Sequence, residues 1–411
     1  VSGGVTPRDA LHTEGLLRSI YLPRTVDALA SAMSTYGIPL LVLVTTRSAA
    51  LTGVAFALAW VPRLAVFGWA GSIVDRRGAS VVFFLASLGR ALVIAAGAVL
   101  LSLHPGGIVA SMTVMALAAT TGVLTEFSYI AAETAGAAAG RRAGARAHRL
   151  HAVLLGIDQT ATLAGPALAG LLLLTGPPQM LAVITALSLL AALLVLRTTP
   201  SPVAPSRAPK ANTNAGLLTG LRTIRSLPAL GWLVTGLTLS NLAVAFLQAA
   251  GPVIVVNHYG QSTTAVGLVW SAAAGATLLS VVLCRFAIDR LGLWPVGSAC
   301  AAFASLACLA AAQAPDYQSY LLLVAVLMAA DGGMTVVLRT LRSRLIPPEK
   351  FGSTLSATIL ILLLPFPAAG VLTALTPPDA LGHVITACAV LQALGLFPAF
   401  VRLRTDPALR S

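Results

Sequence analysis

The chain has 411 residues, of which 57 % are hydrophobic and 9 % charged, with a formal net charge of +13. A soluble domain carries about 25 % charged residues, so this chain cannot cover itself with a hydrated surface, and the composition excludes a soluble globular fold. A basic excess of this size suggests nucleic acid in a soluble protein; here it fits loops that face anionic lipid, and no nucleic-acid partner is expected.

A bilayer-spanning helix needs about 20 mainly apolar residues. Such runs lie near 25–45, 49–71, 80–101, 107–129, 151–174 and 178–196. After a break they resume near 229–250, 264–287, 294–313, 317–338, 353–375 and 380–401. Turn residues punctuate them, as in His104-Pro105-Gly106-Gly107 and Thr376-Pro377-Pro378-Asp379. The runs are too long for barrel strands and lack period-two alternation. The expected fold is an all-α membrane protein with 12 transmembrane helices in two six-helix halves. Residues 1–196 form the first half, 197–228 a linker and 229–411 the second half. The linker opens with Pro and Ser and ends in "GLLTGLRTIRS", whose apolar and basic sides predict a short amphipathic helix on the membrane surface.

The arginines and lysines test the count. Alternate connections form two sets, one on each side of the membrane. Of the 26 Lys and Arg, 23 fall in the set holding both termini and one, Arg47, in the other, while Arg63 and Arg90 lie within spans. Basic loops stay cytoplasmic, so both termini are expected inside a cell membrane. No cleavable signal peptide is expected ahead of the first span. Cys284, Cys300, Cys308 and Cys388 sit in apolar runs without metal-ligand spacing and read as small hydrophobes. Neither a metal nor another cofactor is expected.

The loop between the second and third spans reads Asp75-Arg76-Arg77-Gly78, and the loop between the eighth and ninth reads Asp289-Arg290-Leu291-Gly292. Short loops need glycine to reverse the chain. An acid beside a helix N-terminus and an arginine beside a carboxylate can pair across such a loop. Two copies at matching places in two halves point to a latch between helix bundles. The alternative is a basic loop with a turn glycine.

These features resemble the major facilitator superfamily over essentially the whole chain. "GSIVDRRG", from Gly71 to Gly78, is similar to the family's loop signature Gly-x-x-x-Asp-Arg-x-Gly, although Ala79 and Ser80 stand where a basic pair is usual. The second copy has Arg285 in place of the leading glycine. The resemblance implies inverted repeats and a substrate site near the midplane. In the fifth span, Gly165-Pro166-Ala167-Leu168-Ala169-Gly170 is similar to the antiporter signature of exporting members, with Ala169 replacing a glycine. Small residues there allow close helix approach, and Pro166 bends the helix. The arginine that proton-driven drug exporters of the family often carry in the fourth span is missing.

Charges inside a bilayer usually face a cavity or a partner. The candidates for coupling and substrate contact are Asp27, Glu126, Asp158 with Gln159, and Asp331, beside the intramembrane Arg63 and Arg90. Asp27 follows Arg24 by three residues, and an interfacial i,i+3 ion pair is its alternative reading. Asp158 lies about two turns deep and ranks with Asp331 ahead of Asp27; Gly332 and Gly333 are expected to loosen the helix beside Asp331. Asn241 and Gln248 share one face of the seventh span and suit neutral hydrogen bonding in a mostly apolar cavity.

The expected function is secondary active transport: a proton-coupled exporter of small hydrophobic or amphipathic molecules, of the multidrug-efflux kind, acting as a monomer. A dedicated siderophore or secondary-metabolite exporter is the alternative within transport, and a non-transporting lipid scramblase or sensor the alternative outside it. No constellation of catalytic residues points to an enzyme.

Overall fold

The computed structural model describes residues 20–143, 147–198, 213–346 and 351–405. Twelve helical spans are present among them, each long and apolar enough to cross a membrane. They are α1 (Leu22–Thr46), α2 (Ala49–Arg77), α3 (Ala79–Leu103), α4 (Gly107–Ala143), α5 (Ala147–Thr175), α6 (Pro177–Thr198), α7 (Pro228–Val253), α8 (Thr263–Leu291), α9 (Leu293–Ala311), α10 (Tyr317–Leu345), α11 (Phe351–Leu363 and Pro365–Leu375) and α12 (Leu381–Thr405). A linker helix, Thr213–Ser226, precedes α7. Its Thr223 and Ile224 are buried while Leu218, Leu221 and Arg222 are exposed, and it packs against the first segment of α11.

Local chemistry sets the boundaries. Arg47 closes α1 in the left-handed region at φ 51°, and the Ser48 side chain accepts from the Leu51 N–H at 3.2 Å to start α2. Gly78 and Gly292 end α2 and α8 at φ 87° and 89°, a conformation that only glycine adopts without strain. Two differences from the sequence reading have clear causes. The alanine-rich "TAGAAAGRRA" extends α4 well past residue 129, because alanine favours helix in water as in lipid. Pro365 and Pro367 cannot donate to the preceding turn and split α11 at Leu364, where the Asn241 amide of α7 donates to the Leu362 carbonyl at 2.8 Å.

Helix packing repeats with an offset of six. In the first half α1 packs on α5 and α6, α2 on α4, and α3 on α4 and α6; in the second α7 packs on α11 and α12, α8 on α10, and α9 on α10 and α12. Between the halves, α5 meets α8 and α2 meets α11, a pair of contacts related by the same exchange. The expected two-half architecture is therefore present in the packing itself. The end of the bundle carrying Arg76 and Arg290 is called the basic end below, and the end carrying Arg47 the opposite end.

Candidate transport site

The first half joins its helices through charges. Arg90 of α3 is fully buried: it donates to Asp27 of α1 at 2.5 Å, to Ser31 at 2.7 Å, to Ser188 of α6 at 3.0 Å and to Thr125 of α4 at 3.5 Å. Asp27, only 1 % exposed, also accepts from Ser87 at 3.5 Å. Nearer the basic end, Arg24 meets Asp158 of α5 through two nitrogens, both at 2.9 Å, with Glu133 at 3.6 Å and the Tyr129 ring 5.0 Å away. Arg63 of α2 donates to Glu126 of α4 at 2.5 Å and lies 4.6 Å over the Trp60 ring.

These contacts revise the expected ranking of the carboxylates. Asp158 is not a lone desolvated acid but the rim partner of Arg24, with its side chain 27 % exposed. Asp27 is not chiefly paired with Arg24, which stands 4.0 Å away, but with Arg90, 63 positions along the chain. Glu126 is 2 % exposed and bound to Arg63. Gln159 is partly buried and follows Asp158 directly in sequence.

Between α1, α2 and α4 lies a cleft lined by Thr35, Pro39, Phe56, Trp60, Arg63 and Thr121, with about 30 Å³ of free space in this conformation. Its wall toward the second half is aromatic. Trp60 and Phe56 pack on Ala249 of α7, and the Trp60 ring lies 4.2 Å from Phe366 of α11. A larger hollow of about 390 Å³, almost wholly apolar, lies between α1 and α5 around Leu29, Gly156 and Thr160.

The second half is joined by neutral groups. Gln392 donates to Ser240 at 2.8 Å, Trp294 to the Phe400 carbonyl at 2.9 Å, and Thr277 to the Met328 carbonyl at 3.0 Å. Asp331 is the exception. Among the described residues no ion pair reaches it. Gly332 abuts Thr277 of α8, and Gly333 abuts Cys284 and Cys300; a rotation of about 100° per residue turns Asp331 away from both. The two glycines thus permit close packing of α10 on α8 and α9, and the helix runs unbroken past them, contrary to the loosening expected. Gln248 lies beside the Tyr36 hydroxyl, and Tyr36 in turn meets Trp270 of α8 at 5.7 Å.

The opposite end is closed between the halves. A Cβ on Gly370 would stand 2.5 Å from the Ala57 nitrogen, and one on Gly170 would stand 2.6 Å from the Thr263 carbonyl oxygen. The Gly-Pro motif serves this closure. Gly165 abuts Ala32 and Met33 of α1, Gly267 of α8 lies on the Pro166 carbonyl, and Thr263 donates to the Gly170 carbonyl at 3.1 Å. At the basic end, by contrast, Gly71 and Gly78 have no neighbour among the described residues within 4 Å of where a Cβ would sit. Arg76, Asp289 and Arg290 are exposed, and no ion pair engages Asp289 or Arg290 among the described residues. The side chain of Asp75 lies outside the described residues, so its half of the expected latch is placed only by its helix. The sequence named Arg90 and Arg63 only as intramembrane charges, and Trp60 and Phe366 not at all; nothing in local spacing announces a contact made across two halves.

The chain matches the family profile of the Major Facilitator Superfamily over residues 24–397. No curated protein matches it in sequence. Among solved structures it is similar to a bacterial homologue of the iron transporter ferroportin in its inward-facing state, at 18 % identity and TM-score 0.76, covering 96 % of this chain and 99 % of that one. The outward-facing state of that homologue superposes less well, at TM-score 0.63 with 96 % and 100 % covered, again at 18 % identity. The nucleoside transporter NupG is similar at 13 % identity and TM-score 0.73, with 94 % and 98 % covered.

Proposed function

Because the chain belongs to the major facilitator superfamily, we propose that this membrane transporter is a secondary active exporter of small hydrophobic or amphipathic molecules, coupled to protons and working by alternating access between its two halves. The observation that carries this reading is the asymmetry of closure. The opposite end is sealed by glycine-mediated contacts between the halves, while the basic end leaves Gly71 and the second Asp-Arg-x-Gly loop unengaged among the described residues. With basic loops cytoplasmic, both termini lie inside the cell membrane and this conformation opens toward the cytoplasm, where an exporter loads its substrate. Residues 1–196 and 229–411 are then the two rocking bodies, and the 197–228 linker tethers them on the cytoplasmic side.

Substrate class follows from the lining. The cleft offers aromatic rings, hydroxyls and one guanidinium, which suits an amphipathic molecule better than a sugar or an organic phosphate. Two of the fold's structural neighbours, a ferroportin homologue and another bacterial metal transporter, concern metals; among the described residues, no three His, Cys, Asp or Glu side chains gather as a metal would need. Asp331 is the site proposed for the coupling proton. The test is uptake into proteoliposomes under an imposed pH gradient, inside acidic. An amphipathic solute should accumulate against its own gradient and stop when the pH gradient is collapsed; flux that ignores the pH gradient would reject proton coupling, and no flux at all would reject transport in favour of a scramblase or sensor.

A further inference from the structure

The guanidinium of Arg63 is only partly used. Its Nε is committed to Glu126, and its face lies on Trp60. Its two Nη groups find no acceptor among the described residues, although the side chain is 21 % exposed and lines the cleft between α1, α2 and α4. Intramembrane N–H groups left without acceptors are costly, so a guanidinium with free donors in the lining of a cleft is a place for a ligand oxygen. We propose that Arg63 is the polar recognition point for the transported molecule, and that this molecule is uncharged, carrying a carbonyl or phenolic oxygen on a flat apolar body. The inference rests on the transporter reading and narrows its substrate class.

Neutrality follows from the charges already present. Arg63 and Glu126 cancel, and Glu126 is 2 % exposed and cannot move to water. An anionic ligand at Arg63 would leave a net negative charge within the span, and a cation would face the guanidinium itself; both are penalised in a low-dielectric site. A neutral oxygen needs only donors, and Arg63 has them. Phe56 and Trp60 wall the same cleft with flat rings, which favours a flat ligand body. Arg63 also links the ligand to the contact between the halves, since it rests on Trp60, and Trp60 contacts Phe366 of the other half.

The experiment uses four flat three-ring probes on the whole protein in nanodiscs: anthraquinone, its isostere anthracene without oxygens, the anion anthraquinone-2-sulfonate, and the cation 9-aminoacridine. Anthraquinone should bind saturably and at least about tenfold more tightly than each of the others, a difference of about 1.4 kcal/mol. Arg63→Lys keeps the charge for Glu126 but loses the planar donor edge. It should reduce anthraquinone to the affinity of anthracene in a protein that still melts in a single cooperative transition without ligand. Equal binding of anthraquinone and anthracene by the natural protein, tighter binding of either charged probe, or an unchanged preference in Arg63→Lys would each overturn the proposal. Energised uptake of a charged solute alongside such a result would refute the ligand class and leave the transporter reading standing.

Discussion

Arg90→Met should be the most damaging single substitution among the intramembrane charges. Arg90 is fully buried and holds four side chains from three other helices. Its loss leaves the Asp27 carboxylate at 1 % exposure with two weak contacts, the Ser87 hydroxyl at 3.5 Å and the Arg24 guanidinium at 4.0 Å, each at or beyond the limit of a useful hydrogen bond. Removing one partner of a buried pair costs about 3–5 kcal/mol, chiefly because the other charge is stranded. Adding Asp27→Asn removes that stranded charge and should restore at least about half of the loss, since a neutral amide costs about 1–3 kcal/mol when imperfectly bonded. Arg24→Met is the contrast. Asp158 is 27 % exposed and stays in reach of water, so solvent screening limits the cost to about 1 kcal/mol. Denaturant unfolding in micelles, followed by tryptophan fluorescence, measures all four proteins. A cost under about 1 kcal/mol for Arg90→Met, or a double variant no more stable than the single one, would refute a buried ion pair as the joint of the first half.

Asp331→Asn should abolish substrate-induced proton movement in proteoliposomes while sparing downhill exchange, whereas Asp158→Asn should leave the proton signal in place. Gly370→Leu cannot fit beside Ala57 and Gly53, so it should hold the opposite end open, stop transport and raise labelling of a cysteine placed at Tyr36. Asp75→Asn should cut flux by roughly tenfold or more, as expected if the carboxylate pairs in the latched state, with normal membrane insertion; Asp289→Asn should be milder, because its copy lacks the leading glycine. Cysteines at Pro105, Ser262 and Pro378 should label from outside intact cells, and one at Ala208 only after permeabilisation.

Span number and order were legible because each span satisfies a local rule, about 20 apolar residues between turn signals, and because the basic residues fall so unevenly between the two faces. Turn glycines were legible for the same reason: Gly78 and Gly292 sit where a short loop must reverse. Pairing was not. The sequence places Arg24 one turn from Asp27, and local geometry predicts that ion pair; tertiary packing instead delivers Arg90 to Asp27 and Asp158 to Arg24. The i,i+3 pair is present at 4.0 Å but is the weaker of the two, because a buried carboxylate gains more from a fully enclosed guanidinium with further hydroxyl partners than from a more distant neighbour. Likewise Asn241 read as a candidate for substrate contact, yet its amide donates to the Leu362 carbonyl at the break in α11, more than a hundred residues away. Depth along a helix ranks how costly a charge is, but says nothing about who shares the cost.

The division between charged and neutral joints bears on where a proton can bind. A proton on Asp27 would strand Arg90 in the middle of the first half, and a proton on Glu126 would strand Arg63 beside Trp60; either change carries the several-kcal/mol penalty of an unpaired buried charge. Protonation there would loosen the body that must rock as a unit. The second half holds together through Gln392–Ser240, Trp294–Phe400 and Thr277–Met328, none of which changes charge near neutral pH. A proton on Asp331 therefore strands no partner and breaks no joint among the described residues, so it can alternate with substrate over a cycle without weakening either bundle. Coupling at Asp331 leaves both rigid bodies intact through the cycle, and that is the physical reason for preferring it to the paired carboxylates of the first half.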